Sequence, residues 1–123
     1  MLESLNRLMD HIDQHLTDEI TGQDITRIVG VSDYHFRRMF SYMAGMTLNE
    51  YVRNRRLSEA NKDLIHGKSV TDVAYTYGYQ SVDGFSRAFR DWCGFLPSEV
   101  SKNKIQKSFP KFTFFIDIKG GIS

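Results

Sequence analysis

Two short stretches carry the side chains most able to do chemistry. Arg37 and Arg38 lie in Ser32-Asp33-Tyr34-His35-Phe36-Arg37-Arg38-Met39-Phe40. Arg87 and Arg90 lie in Ser81-Val82-Asp83-Gly84-Phe85-Ser86-Arg87-Ala88-Phe89-Arg90. A guanidinium presents paired, planar donors that match a guanine edge or a phosphate. Tyr34 and Ser86 add hydroxyls that can donate to phosphate or touch a thymine methyl, and Ser41 shares the outward side of the first stretch. Asp83 repels phosphate; it can accept from a cytosine amino group, or answer the positive end of its helix. The stretches are copies of one device. A shift of 49 residues sends Ser32 to Ser81, Phe36 to Phe85, Arg38 to Arg87, Phe40 to Phe89 and Gly45 to Gly94.

The elements that must position these residues read as helices. Leu5, Leu8, Met9, Ile12 and Leu16 recur at helical spacing over 4–16, with Ser4 as N-cap. Thr21 opens a helix over about 22–29 that Gly30 ends, and Val31 plugs the core before the next one. Ser32 caps a helix with a buried seam of Phe36, Met39, Phe40 and Met43; Tyr34, Arg37, Arg38 and Ser41 face outward. Thr47 with Glu50 forms a capping box for a longer helix over about 48–65. Ser69 with Asp72 opens a helix over about 70–77, and Ser81 one over 82–92 with a seam of Phe85, Ala88, Phe89 and Trp92. A last short helix begins near Pro97. The expected fold is therefore all-α, with about seven helices. After it, Lys111 to Lys119 alternates as a strand does, with Gly120-Gly121 behind it. Such a strand would pair with a second copy or, preferred here, begin a further domain.

Short helix, glycine turn, capped second helix occurs at 22–44 and again at 70–92: a helix-turn-helix pattern used twice. The linking helix is about 27 Å long at 1.5 Å per residue, near the ~34 Å of one DNA turn. One chain could thus occupy two successive major grooves. The formal charge of +1 speaks weakly against a nucleic-acid partner. Its distribution does not, because residues 1–19 are acidic while residues 20–102 and the tail from 103 are basic. Cys93 is the single cysteine, so no internal disulfide is possible, and a reducing cytoplasmic setting is expected. No apolar run is long enough to span a bilayer.

The chain resembles the AraC/XylS family of bacterial transcription regulators over residues 5–99. The resemblance rests on Gly30-Val31-Ser32, Phe36-Arg37-Arg38-Met39-Phe40, Gly45, Arg56-Leu57 with Ala60 and Leu64, and above all the stretch from Val70 to Pro97. It implies a DNA-binding domain over 4–102, with two helix-turn-helix units and a linker helix. It also implies promoter binding that activates, less often represses, transcription, often through contact with RNA polymerase. Residues 103–123 would be a tail, or the start of an absent effector domain. Val100-Ser101 stand where the family often has Tyr-Arg, and Val82-Asp83-Gly84 where polar neutral residues are common.

The expected DNA contacts are Tyr34, Arg37, Arg38, Ser41, Asp83, Ser86, Arg87 and Arg90. Arg53, Arg55 and Arg56 either track the DNA backbone or form a solvated helix face. Double-stranded DNA is the expected partner, with no membrane, and the chain is expected to be a monomer or weak dimer. No metal or other cofactor is expected: His11 and His15 stand at i, i+4, but no third ligand is evident. Catalysis is not expected either, for want of a nucleophile–base pair or a phosphate-cradling loop. A protein-interaction module that keeps the fold without reading DNA is the alternative. Steep salt dependence of DNA binding separates the two.

Overall fold

The computed structural model describes residues 1–115. They fold into α1 (Leu2–Gln14), α2 (Gly22–Val29), α3 (Asp33–Ala44), α4 (Leu48–Ile65), α5 (Val70–Thr76), α6 (Val82–Cys93) and α7 (Pro97–Asn103). The all-α expectation holds, and five of these helices start where a capping residue stands. Thr21 accepts from the Asp24 N–H, Ser32 from His35, Thr47 from Glu50, Ser69 from Asp72 and Ser81 from Gly84, all at 3.0 to 3.1 Å. Each bond satisfies one of the backbone donors that a helix start leaves unpaired. Gly30 and Gly94 close α2 and α6 in the left-handed region, at φ 84° and 91°. A β-carbon would be strained there.

At α4 the capping box is complete, since the Glu50 carboxylate accepts from both the Thr47 hydroxyl and its backbone N–H. Thr47→Ala is expected to cost about 1 kcal/mol. A lower denaturant midpoint at unchanged slope would show it.

Two separate cores lie along α4. The first gathers Leu8, Met9 and Ile12 of α1, Ile25 of α2, Phe36 and Phe40 of α3, and Leu48, Tyr51 and Val52 of α4. The second gathers Leu57, Ala60 and Leu64 of α4 with Val73, Ala74, Phe85, Phe89 and Val100. The linker helix thus serves one core with its first half and the other with its second. Tyr77 closes the second unit by donating its phenol proton to Asp63 at 2.8 Å. Burial, and then that bond, hold this phenol well above the usual tyrosine range.

Three expectations are corrected. The cap of α1 is Met1, three residues before Ser4, and makes no side-chain bond, because the helix already starts at Leu2. Ser4 instead sits inside it and accepts from Arg7. Met43 is 50% exposed rather than buried: the inward side of the last turn of α3 passes through Ala44 instead, which is half-buried against the first core. The tail forms no strand as far as Phe115; Lys111 to Phe115 has no regular secondary structure. Its alternation is used otherwise. Phe112 and Phe114 turn into the first core, and Asn6 of α1 pairs both backbone groups of Phe114 at 2.8 Å. The rest of the expected strand, 116–119, and Gly120-Gly121 lie outside the described residues.

Candidate nucleic-acid interface

α2 and α3 are joined through Gly30-Val31-Ser32, and α5 and α6 through residues 77–81. Caps and core residues date the difference. Thr21, Ile25 and Gly30 map onto Ser69, Val73 and Gly78 with a shift of 48, whereas Ser32 maps onto Ser81 with a shift of 49. The second turn therefore holds one residue more, and the half-buried Tyr79 fills it, its ring 5.3 Å from Phe85.

Both second helices bury their aromatic seam: Phe36, Phe40, Phe85 and Phe89 are all fully buried. The opposite faces must then meet solvent. On α3, Tyr34 is 63% exposed. Arg38 lies over it, with its guanidinium carbon 5.6 Å from the ring centre and Nη1 3.4 Å from the phenol oxygen. Arg37 is half-buried: Nε donates to Asp33 at 2.7 Å and Nη1 to the Asn49 side-chain oxygen at 3.1 Å. Ser41, also half-buried, lines the same groove. On α6, Asp83, Arg87 and Arg90 are exposed and Ser86 is half-buried. Among the described residues, Arg38, Arg87 and Arg90 form no salt bridge.

The eight candidate residues thus sit on two helices in matched places. By the shift of 49, Tyr34 corresponds to Asp83, Arg37 to Ser86, Arg38 to Arg87 and Ser41 to Arg90. Only Arg38 and Arg87 are the same residue in both. Two more side chains belong to the α3 groove. Tyr42 is 90% exposed one turn beyond Arg38, and its i, i+4 spacing from Arg38 was a readable signal. Asn49 comes from α4 and meets Arg37 only through the fold.

Arg55 and Arg56 do not face solvent as a free basic stripe. Arg55 is 7% exposed and donates to Asp13 at 2.8 Å, to Glu59 at 3.2 Å and to the Phe109 carbonyl. Arg56 donates to the Leu16 and Asp18 carbonyls at 2.6 and 2.8 Å, tying the α1–α2 loop to α4. Arg53 alone of the three is exposed. The tail lysines among the described residues are engaged as well. Lys104 donates to the Ile65 carbonyl and Lys107 to that of Trp92, at the negative ends of α4 and α6, and Lys111 pairs with Asp10. The basic tail therefore adds less to a DNA-facing field than its charge suggested.

The rings of His11 and His15 stack at 4.2 Å, and His15 Nδ1 bonds the His11 carbonyl. Among the described residues no group of three His, Cys, Asp or Glu side chains gathers to hold a metal. Within the same residues no helix is long and apolar enough to cross a membrane.

A family described as "Helix-turn-helix domain" matches residues 25–103, from α2 to the end of α7. The chain belongs to the AraC-type helix-turn-helix family. It is 33% identical over 95 residues to the HTH-type transcriptional activator AarP of Providencia stuartii, covering 76% of this chain and 70% of that one. It is 30% identical over 89 residues to the uncharacterized HTH-type transcriptional regulator YbfP of Bacillus subtilis, of which it spans 30%. The crystal structure of a Chromobacterium violaceum regulator with an AraC-type DNA-binding domain shares the fold, at TM-score 0.76 and 24% identity, over 85% of this chain and 94% of that one. As an AraC-type domain, the chain is a DNA-binding transcription regulator whose partner is double-stranded DNA.

Proposed function

We propose that this regulator reads a specific promoter sequence by placing α3 and α6 in successive major grooves, and that it activates transcription. Arg38 and Arg87 carry this reading. They stand exposed at matched positions on two helices of the same kind, with no ion-pair partner among the described residues. Base readout rests on these two arginines, with Tyr34, Arg37 and Ser41 beside the first and Ser86 and Arg90 beside the second. Asp83, in the first turn of α6, chiefly answers the helix dipole, so the first unit reads the more stringent box. Because one chain holds both helices, a monomer or weak dimer suffices. Activation, supported by the name that AarP bears, would run through contact with RNA polymerase at the bound promoter.

Titration of a promoter duplex at several salt concentrations tests the DNA reading. A protein that neutralises about six phosphates loses roughly a thousandfold in affinity between 50 and 200 mM salt. Binding that is flat with salt would favour an interaction module instead.

A further inference from the structure

We infer that residues 105–114 form a strap that fixes the spacing of the two recognition helices, with Tyr51, Ser58 and Asn61 as its positioning residues. Among the described residues, only α4 and this segment put apolar side chains into both cores. Ile105 packs on the second, while Phe109, Phe112 and Phe114 pack on the first. The segment lies beyond the span matched by the family.

It runs antiparallel to α4 and is pinned to it step by step. Asn61 donates to the Ile105 carbonyl at 3.2 Å and accepts from the Lys107 N–H at 3.4 Å. Ser58 accepts from the Phe109 N–H at 2.9 Å, Arg55 donates to the Phe109 carbonyl, and Tyr51 accepts from the Phe112 N–H at 2.8 Å. Positions 51, 55, 58 and 61 make one stripe on a helix. The stripe includes Arg55, Ser58 and Asn61, the buried polar side chains among the described residues. A buried polar group costs free energy unless it is bonded. Here the bonds go to the backbone of the tail. A tail that only covered apolar surface would need no such stripe; backbone bonding sets its register along α4. Asn6 then clamps its far end at Phe114.

The two units are thereby joined by two tethers lying side by side rather than by one helix. A single helix bends and twists; two tethers bonded along their length resist both. Fixed spacing preorganises the second helix once the first has docked, which raises the effective concentration of the second contact and penalises boxes set at the wrong distance.

This inference rests on the two-groove reading, and one experiment separates them. Full-length wild type and the Tyr51→Phe/Ser58→Ala double variant, which removes two anchors with little loss of volume, are titrated against three duplexes built from selected sites. One carries a single box, one both boxes at the preferred spacing, and one both boxes shifted by two base pairs. Asn61→Ala serves as a second variant, and hydrogen exchange at residues 105–115 reports release of the strap. With the strap released, single-box affinity should stay within about twofold of wild type, two-box affinity should fall by about tenfold, and the penalty for wrong spacing should shrink. A released strap with unchanged spacing dependence would overturn the inference, as would equal loss on all three duplexes. So would exchange at 105–115 that stays slow in both variants, since the stripe would then not be what holds the segment. Wild type that binds one box as tightly as two would overturn the two-groove reading, and the strap with it.

Discussion

Arg38→Ala is expected to weaken binding to a two-box operator by roughly 10- to 100-fold, with Arg87→Ala acting similarly on the other box. One bidentate contact to guanine is worth about 1–3 kcal/mol of discrimination. Neither change should harm the fold. Among the described residues, Arg38 bonds the exposed Tyr34 and has no ion-pair partner, and neither has Arg87. Surface changes of this kind usually stay within about 0.5 kcal/mol. Lysine should rescue poorly, because a point charge cannot replace the paired donors. Each alanine variant should relax sequence preference at one box and leave the other intact, as read by binding to operators altered in one box at a time. Uniform weakening on every sequence, with the salt slope smaller by about one, would assign the arginine to phosphate instead.

Phe40→Ala should be the most damaging single change to stability, at about 3–5 kcal/mol. The ring is fully buried and sits among Phe36, Tyr51 and Phe112, with centres 6.0, 5.3 and 5.4 Å away. Truncation leaves a cavity that three rings on three different segments cannot close together. Set against a typical total of 5–15 kcal/mol, the loss brings the first unit close to unfolding at room temperature. Because Phe112 belongs to the tail, the same cavity should loosen the strap. Urea denaturation measures the effect, and Tyr42→Ala, on the exposed side of the same helix, is the control expected to move by less than about 0.5 kcal/mol. Similar midpoints for the two variants would mean that the packing around Phe40 is not what holds the unit.

What the sequence made legible was local. Ser32 and Ser81 could be read as caps because a cap needs only its own side chain and the next turn's N–H groups. The seams of Phe36 with Phe40 and Phe85 with Phe89 show through helical spacing alone. Met43 keeps the seven-residue spacing from Phe36, but the inward side passes through Ala44 beside it, and spacing alone does not choose between adjacent positions. Arg55 and Arg56 were ambiguous because α4 is buried by different partners along its length, so no single polar face marks solvent. The alternation at Phe112 and Phe114 suggested a strand. It does record one face turned inward, but the partners of that backbone are side chains, Tyr51 at Phe112 and, more than a hundred residues away, Asn6 at Phe114. Asn49 joined the α3 groove for the same reason: only tertiary structure brings it to Arg37.

Selection of binding sites from random duplex DNA, with purified protein at moderate salt, tests the central claim most directly. Two short boxes should be enriched with centres about one helical turn apart, roughly 10 base pairs, the box bound by α3 being the more sharply defined. Enrichment of a single box, or of none, would contradict reading by both helices of one chain.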